Sequence, residues 1–137
     1  MTDFVFVTDQ PDAATVVVEA IRHDVDTIRC PDMATAEVFA RRMETATGDR
    51  WFALKTTYAF DRFVARKAPQ VGDPVSYAFN GDSYPDGYVK AISPTMAKIT
   101  TTTGSVYHRQ KDRPGVWLKH RTWSLIKGHI NKRNPSF

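Results

Sequence analysis

The second half of the chain consists of short runs in which hydrophobic and polar residues alternate, each followed by a strong turn signal. Four such runs cover residues 75–79, 88–92, 97–102 and 105–109, with Asn-Gly, Asp-Gly, Ser-Pro and Thr-Gly between or beside them. Alternation with a period of two predicts half-buried β-strands, and closely spaced turns predict antiparallel hairpins. Residues 116–118 predict a fifth strand, whereas 123–130 fit either a last strand or one helical turn.

The first half of the chain contains one clear helix, over residues 33–47. Asp32 is placed to cap its first turn, and Gly48 supplies a residue that can adopt the left-handed conformation at its end. Between them, four apolar residues recur at i, i+3, i+4 and i+7, which predicts one buried stripe: Ala36, Phe39, Ala40 and Met43.

The rest of this half contains strand-like runs at residues 4–7, 25–30 and 51–60. Residues 15–21 include three consecutive valines and favour a strand, because β-branched side chains crowd a helix. The Pro11-Asp12 pair ahead of them would instead fit a helix over 13–22. The basic stretch 62–70 has little periodicity and predicts a linker. The pattern therefore predicts an α+β protein, with a small N-terminal β-sheet and one packed helix over 1–68, followed by a five-stranded β-barrel over 69–137.

Charge is divided unevenly along the 137 residues, whose net charge is +4. Residues 1–68 hold nine Lys/Arg and eleven Asp/Glu, a net −2, whereas residues 69–137 hold ten and four, a net +6. A basic half of this kind favours a polyanionic partner. No apolar run reaches the ~18–20 residues that cross a bilayer, and no secretory signal is visible, which predicts a cytoplasmic protein without a membrane partner. Cys30 stands alone and is expected to be a buried or half-buried thiol.

Basic and aromatic residues are interleaved from position 107 to position 123. Nucleic-acid sites combine cations that neutralise phosphates with flat rings on which bases stack. If the strand continues through 121, alternate residues Trp117, Lys119 and Arg121 share one face. The predicted contact residues are Tyr107, Arg109, Lys111, Arg113, Trp117, Lys119 and Arg121, together with Tyr84 and Tyr88. The competing interpretation is that Trp117 and Trp123 fill the barrel core.

Four aromatic residues of the barrel half fit either the core or an exposed surface: Tyr77, Phe79, Tyr84 and Tyr88. Tyr77 and Phe79 share a strand face with Val75, which favours the core side. Tyr84 and Tyr88 flank the Pro-Asp-Gly turn and have the better chance of exposure.

Signals for catalysis are few. Asp82 and Asp86 form a carboxylate pair near a turn, and His108, His120 and His129 could supply a base or a metal ligand. No metal-binding spacing and no nucleophile elbow is present. We therefore expect a protein that is not an enzyme and needs no cofactor or metal.

The stretch Val71-Gly72-Asp73-x-Val75, followed by Tyr84-Pro85-Asp86-Gly87-Tyr88-Val89, resembles SH3-like barrels of the Tudor and chromatin-reader kind. The resemblance covers about 40 residues, and it implies binding of peptides, methylated side chains or nucleic acid without catalysis. In that family an acidic residue helps the aromatic cage to meet a cation. Here only Asp82 and Asp86 could do so, and the basic character of the half argues against a cationic ligand.

The overall layout also resembles small accessory proteins of tailed bacteriophages. The matching residues are the helix end and aromatic strand from Ala46 to Phe52, and the terminal Asn134-Pro135-Ser136-Phe137. This likeness implies no activity, but it would place the protein in an infected bacterial cytoplasm.

The leading hypothesis is a non-enzymatic binding protein whose basic barrel engages nucleic acid or a nucleic-acid-processing host protein. An inhibitor or adaptor that binds a single host protein is the alternative, and a metal-dependent hydrolase is the second alternative. The sequence leaves the oligomeric state open, because a short edge strand could pair with its copy.

Overall fold

The computed structural model describes residues 4–7, 12–55, 63–113 and 115–135. It divides the chain into two compact units, Met1–Ala68 and Pro69–Phe137. Among the described residues, the first holds a mixed four-stranded sheet with two helices, and the second holds a closed barrel of six antiparallel strands. The predicted α+β class is confirmed, although there is one helix more and one barrel strand more than expected.

The first unit alternates strands and helices before it ends in a hairpin pair. In chain order the elements are β1 (Phe4–Phe6), α1 (Ala13–Arg22), β2 (Thr27–Cys30), α2 (Met33–Thr47), β3 (Trp51–Lys55) and β4 (Phe63–Lys67). The sheet order is β1-β2-β4-β3, in which β1 and β2 are parallel and the other pairs are antiparallel. Of the predicted strand 51–60, residues 56–60 lie outside the described part of the chain.

The strand expected at residues 15–21 is wrong, because this segment belongs to helix α1. Asp12 caps the helix by accepting hydrogen bonds from the Ala14 amide at 3.2 Å and the Thr15 hydroxyl at 2.8 Å. Val16 and Ala20, one helical turn apart, are its buried residues. The β-branched run costs only tenths of a kcal/mol per residue in a helix. Burial of this stripe, in a crossover that joins two parallel strands, outweighs that cost.

Helix α2 follows the prediction, because its local signals all agree. Asp32 accepts a hydrogen bond from the Thr35 amide at 2.7 Å, and Gly48 ends the helix with φ at +79°. The predicted stripe is buried. Its larger members pack with Ile28 and Trp51 in the core of this unit. Edge strand β1 carries an exposed Phe6, and the Arg29 guanidinium lies 3.5 Å from the centroid of the Phe4 ring.

The linker expected at 62–70 is also wrong in its central part. Phe63–Lys67 forms β4, which lies between β2 and β3. Val64 and Ala65 are fully buried, while the basic Arg66 and Lys67 are half-buried. The linker interpretation rested on those basic residues. Long basic side chains can lie along a sheet with their charged ends in water, so they do not exclude a central strand.

The barrel of the second unit closes by pairing its first and last strands. Its strands are β5 (Pro74–Phe79), β6 (Asp82–Ile92), β7 (Lys98–Thr101), β8 (Val106–Arg109), β9 (Trp117–Lys119) and β10 (Trp123–Lys127). Their order around the barrel is β10-β5-β6-β7-β8-β9, with β9 paired to β10. Residues 123–127 are thus a strand and not a helical turn. A closed barrel of six strands replaces the five that were expected.

Strand β6 runs through the Pro-Asp-Gly segment that the sequence indicates as a turn. A register shift against β5 accommodates it between Pro74 and Ser76. Gly87 has φ at +68°, and a Cβ atom there would lie 2.3 Å from the Thr102 hydroxyl oxygen. This position therefore needs glycine both for its backbone conformation and for its close approach to Thr102, directly after β7.

Residues 128–135 form a segment that returns along the outside of β6, and we refer to it as the strap. Ser83 and Lys132 exchange backbone hydrogen bonds of 2.8 and 3.0 Å. The Asn134 amide donates to Asp82 Oδ1 at 2.8 Å, and its side chain donates to the Asn80 carbonyl at 2.7 Å. The strap pairs with the first half of β6, where β7 does not reach.

Candidate functional site

Alternate residues of the barrel strands point inward, and they differ between the two ends of the barrel. Val75, Val89, Ile99 and Trp117 are buried apolar residues. The end at which β5 and β9 finish and β6 and β10 begin is different, because its inward residues are aromatic or polar and several are only half-buried. We call this the aromatic end of the barrel.

Four rings form an aromatic cluster at this end. Tyr77 and Tyr84 face each other across β5 and β6, with ring centroids 5.1 Å apart and planes 20° apart. Trp123 packs edge-on against Tyr77 at 5.0 Å and against Tyr84 at 5.8 Å, and Phe79 packs against Trp123 at 5.9 Å. Phe79 is 43% exposed, and the other three rings are half-buried.

Two cations lie over the tyrosines of the aromatic cluster. Lys119 Nζ is 3.6 Å from the centroid of Tyr77, and Arg133 Cζ, from the strap, is 3.7 Å from the centroid of Tyr84. Both distances are within the range of cation–π attraction. Because Tyr77 and Tyr84 also stack on each other, the four side chains are arranged in space in the order Lys119, Tyr77, Tyr84 and Arg133.

Beneath Lys119 lies a carboxylate network centred on Asp86, which is only 4% exposed. Asp86 Oδ2 accepts a 2.5 Å hydrogen bond from the Tyr107 hydroxyl, and Oδ1 accepts one from the Thr103 hydroxyl. Lys119 Nζ lies 3.3 Å from Oδ2 and also donates to Ser105 Oγ at 3.2 Å. The buried charges are therefore paired and hydrogen-bonded, which is the condition for tolerating them inside a barrel.

Protonation equilibria in the network follow from these contacts. Burial acts to raise the pKa of Asp86, but hydrogen bonds from Thr103, Tyr107 and Ser105 and the charge of Lys119 outweigh it and lower the pKa. Burial and the bond to the Asp86 carboxylate raise the pKa of the Tyr107 hydroxyl far above its usual value. At neutral pH the pair is a carboxylate and a neutral phenol.

The predicted contact residues do not lie together, because the strand register separates them to opposite ends of the barrel. Arg109 ends β8 and Trp117 begins β9, so the loop between them, with exposed Lys111 and Arg113, lies away from the aromatic end. Lys119 and Tyr84 lie at the aromatic end. The stretch 107–123 is therefore not one continuous surface.

Three of the predicted residues have other roles or positions. Tyr107 is fully buried in the carboxylate network, and Trp117 is 2% exposed and donates from Nε1 to the Met96 carbonyl at 2.8 Å. The competing core interpretation thus holds for Trp117. Tyr88, 49% exposed, contacts the ring of His129 and lies outside the aromatic cluster.

Arg121 does not share a face with Trp117 and Lys119, because β9 ends at Lys119. His120 and Arg121 have φ of 53° and 60°, so the chain turns there directly into β10. This conformation costs roughly 1–2 kcal/mol per residue without glycine. Arg121 is exposed in this turn at the aromatic end.

Sequence reasoning did not include Arg133 among the contact residues and assigned Tyr77 and Phe79 to the core side. The alternation of β5 correctly indicated that Val75, Tyr77 and Phe79 share the inward face. Alternation does not indicate which inward residues lie near an open end. Arg133 carries no local signal, because only the pairing of the strap with Ser83 brings it to Tyr84.

Within the described ranges, no group of three or more His, Cys, Asp or Glu side chains is arranged to hold a metal ion. No helix in that part of the chain is long and apolar enough to span a membrane. Compared with protein-family models, with curated proteins and with solved structures, the chain has no significant match.

Proposed function

We propose that the barrel unit is a binding module for single-stranded nucleic acid and that the strand binds across the aromatic end. The observation that carries this proposal is the aromatic cluster, which is partly exposed and has Lys119 and Arg133 on its tyrosines. Single strands are bound by aromatic side chains on which bases stack, combined with cations that follow the backbone. The unit carries a net charge of +6, which supplies long-range attraction for such a polyanion.

The cation–π contacts favour this ligand over a methylated lysine. An aromatic cage binds an ammonium ion on the faces of its rings. Here the chain's own Lys119 and Arg133 lie on the faces of Tyr77 and Tyr84 that these tyrosines do not turn to each other. The exposed parts of Phe79 and Trp123 remain for a neutral, planar group such as a base.

Replacement of Trp123 by Ala tests the proposal. Stacking of one base is worth about 1–3 kcal/mol, so we expect affinity for an oligothymidylate of about 15 nucleotides to fall roughly 5- to 150-fold. Fluorescence anisotropy with a labelled oligonucleotide measures the affinity. The logarithm of the binding constant should also fall with the logarithm of salt concentration, with a slope of about −2 if some three cations contact phosphates.

Matched controls lie on the same unit. Val106→Ala removes an exposed apolar side chain, and Lys90→Ala removes an exposed charge next to inward-facing Val89. Neither should change affinity more than about twofold. Phe79→Ala, a smaller change at the exposed edge of the aromatic cluster, should weaken binding without disturbing the fold. Absence of binding by the unchanged protein at low salt would refute the proposal.

The same preparation distinguishes the alternative functions. One bacterial protein retained in stoichiometric amount after nuclease treatment would favour the inhibitor or adaptor. Elemental analysis that finds a bound metal would favour the hydrolase.

The relation to SH3-like barrels and to bacteriophage accessory proteins also stays a proposal, and it would place the protein in a host bacterial cytoplasm. What supports the SH3-like relation is the Gly72-Asp73 pair directly ahead of β5 and the Tyr-Pro-Asp-Gly-Tyr-Val segment of β6. What supports the bacteriophage relation is the stretch from Ala46 to Phe52 and the terminal Asn134-Pro135-Ser136-Phe137.

A further inference from the structure

Arg133 is held in one position by contacts on two sides of its guanidinium group. The group lies over the Tyr84 ring, with Cζ 3.7 Å from the ring centroid. Its Nη1 donates to the Ser83 carbonyl at 2.9 Å, to Asn131 Oδ1 at 2.8 Å and to the Lys132 carbonyl at 3.0 Å. Stacking and hydrogen bonding together restrict a side chain that would otherwise have many rotamers.

The opposite edge of the same group is open. Nε and Nη2 have no hydrogen-bond partner among the described residues, and Arg133 is exposed. All three acceptors of Nη1 are neutral, and no carboxylate in the described ranges forms an ion pair with Arg133. Its positive charge therefore has no counter-ion among the described residues. Lys119, the other cation on the aromatic cluster, is by contrast paired with Asp86.

The geometry points to a phosphate-binding fork at Arg133, in which Nε and Nη2 donate in parallel to two oxygens of one phosphate group. This edge of arginine matches the spacing of phosphate oxygens, and bidentate charge-assisted pairs are the strong ones. A guanidinium that is already fixed loses less conformational freedom when it binds. This inference rests on the proposed function, since it assigns the fork to a phosphate next to the base on the aromatic cluster. The phosphate can be a diester of the strand or the terminal phosphate of a nucleotide.

The first experiment observes the fork directly. The Nε–H resonance of Arg133 is assigned by its loss in Arg133→Lys, and inorganic phosphate is titrated against chloride at equal ionic strength. We expect a saturable shift of this resonance with phosphate and none with chloride. Acetate is a second titrant, and an equal shift with acetate would overturn the assignment to phosphate. So would the absence of a shift with phosphate.

The second experiment separates the fork from simple charge. Arg133→Lys keeps the charge and loses the fork, so oligonucleotide affinity should fall by about tenfold, nearly as much as in Arg133→Ala. Lys132→Ala, the adjacent exposed cation of the strap, is the matched control and should lose about threefold or less. An Arg133→Lys variant with unchanged affinity would contradict the fork. Circular dichroism and the backbone spectrum confirm that each variant retains its fold.

The source of the phosphate follows from two modified ligands. If the fork binds a diester, the unchanged protein and Arg133→Lys should bind an oligonucleotide with uncharged methylphosphonate linkages with equal affinity. A 5′-phosphorylated strand should bind about tenfold better than the unphosphorylated one if the fork binds a terminal phosphate. If neither of these two differences is observed, the fork is contradicted. If the phosphate titration succeeds and oligonucleotides do not bind, the fork stands and the proposed function fails. If oligonucleotides bind but phosphate causes no shift of the Arg133 resonance, the fork is rejected and the proposed function stands.

Discussion

Replacement of Tyr107 by Phe isolates one hydrogen bond of the carboxylate network. The Tyr107 hydroxyl donates to Asp86 Oδ2 at 2.5 Å, and both residues are buried. A hydrogen bond to a charged group contributes about 1.5–3 kcal/mol, and Lys119 still contacts Oδ2 when this bond is lost. We expect the free energy of unfolding of the barrel to fall by about 2 kcal/mol at pH 8.

The pH dependence makes this prediction more specific. In the folded barrel the pKa of Tyr107 is raised, whereas in the unfolded chain it is about 10. A raised pKa contributes stability below the unfolded value, and that stability is lost as pH rises above about 10. The unchanged protein should therefore lose about 1.4 kcal/mol between pH 8 and 11 that Tyr107→Phe does not lose. The difference between the two should shrink from about 2 to about 0.6 kcal/mol.

Urea unfolding followed by tryptophan fluorescence measures the difference in free energy of unfolding at pH 8 and at pH 11, because Trp117 and Trp123 report on the barrel. Tyr88→Phe is the matched control, since Tyr88 is exposed and its hydroxyl makes no hydrogen bond with described residues. This control should differ from the unchanged protein by less than about 0.5 kcal/mol at pH 8. If Tyr107→Phe is as stable as the unchanged protein, or if the difference stays constant up to pH 11, the reasoning about this network is wrong.

Two further predictions concern the same barrel. The pKa of Asp86 is lowered, so its contribution is complete above about pH 4 and is lost as pH falls through the folded value. Asp86→Asn should therefore destabilise the barrel at pH 7, because Lys119 loses its counter-ion. It should also remove part of the loss of stability that urea unfolding measures at pH 3. An unchanged dependence of stability on acid pH would contradict this. Gly87→Ala would place Cβ 2.3 Å from the Thr102 hydroxyl oxygen at a positive φ and should cost about 2 kcal/mol or more in thermal unfolding. Gly104→Ala, also at positive φ but with open space around Cβ, is the control and should cost less.

Local signals predicted an element well where several of them agreed. Helix α2 has a cap, a stop residue and an apolar stripe, and its bounds match the prediction. Helix α1 was misassigned because its valines favour a strand while its cap favours a helix. The parallel pairing of β1 with β2, which decides between the two, is a tertiary feature. Strand β4 was missed because only two residues, Val64 and Ala65, show that it is central.

For the candidate site, the sequence indicated which types of residue take part better than it indicated where those residues lie. Interleaved aromatic and basic residues were the basis for predicting the contact residues, of which Lys119 and Tyr84 lie at the aromatic end. Arg109 and Trp117 belong to the other end, because a strand of three or four residues spans the barrel and consecutive strands run in opposite directions. Adjacent stretches of sequence therefore reach opposite ends.

The sequence by itself determined the Asn-Gly, Ser-Pro and Thr-Gly turns, helix α2, the uneven distribution of charge and the inward face of β5, since each depends on residues close together in the chain. Only the tertiary structure decided that the barrel closes with six strands and that Asp86 is buried beneath Lys119. It also decided that the strap brings Arg133 onto Tyr84. The physical reason is that alternation sets which face a side chain occupies, whereas contacts between distant residues depend on strand register and closure.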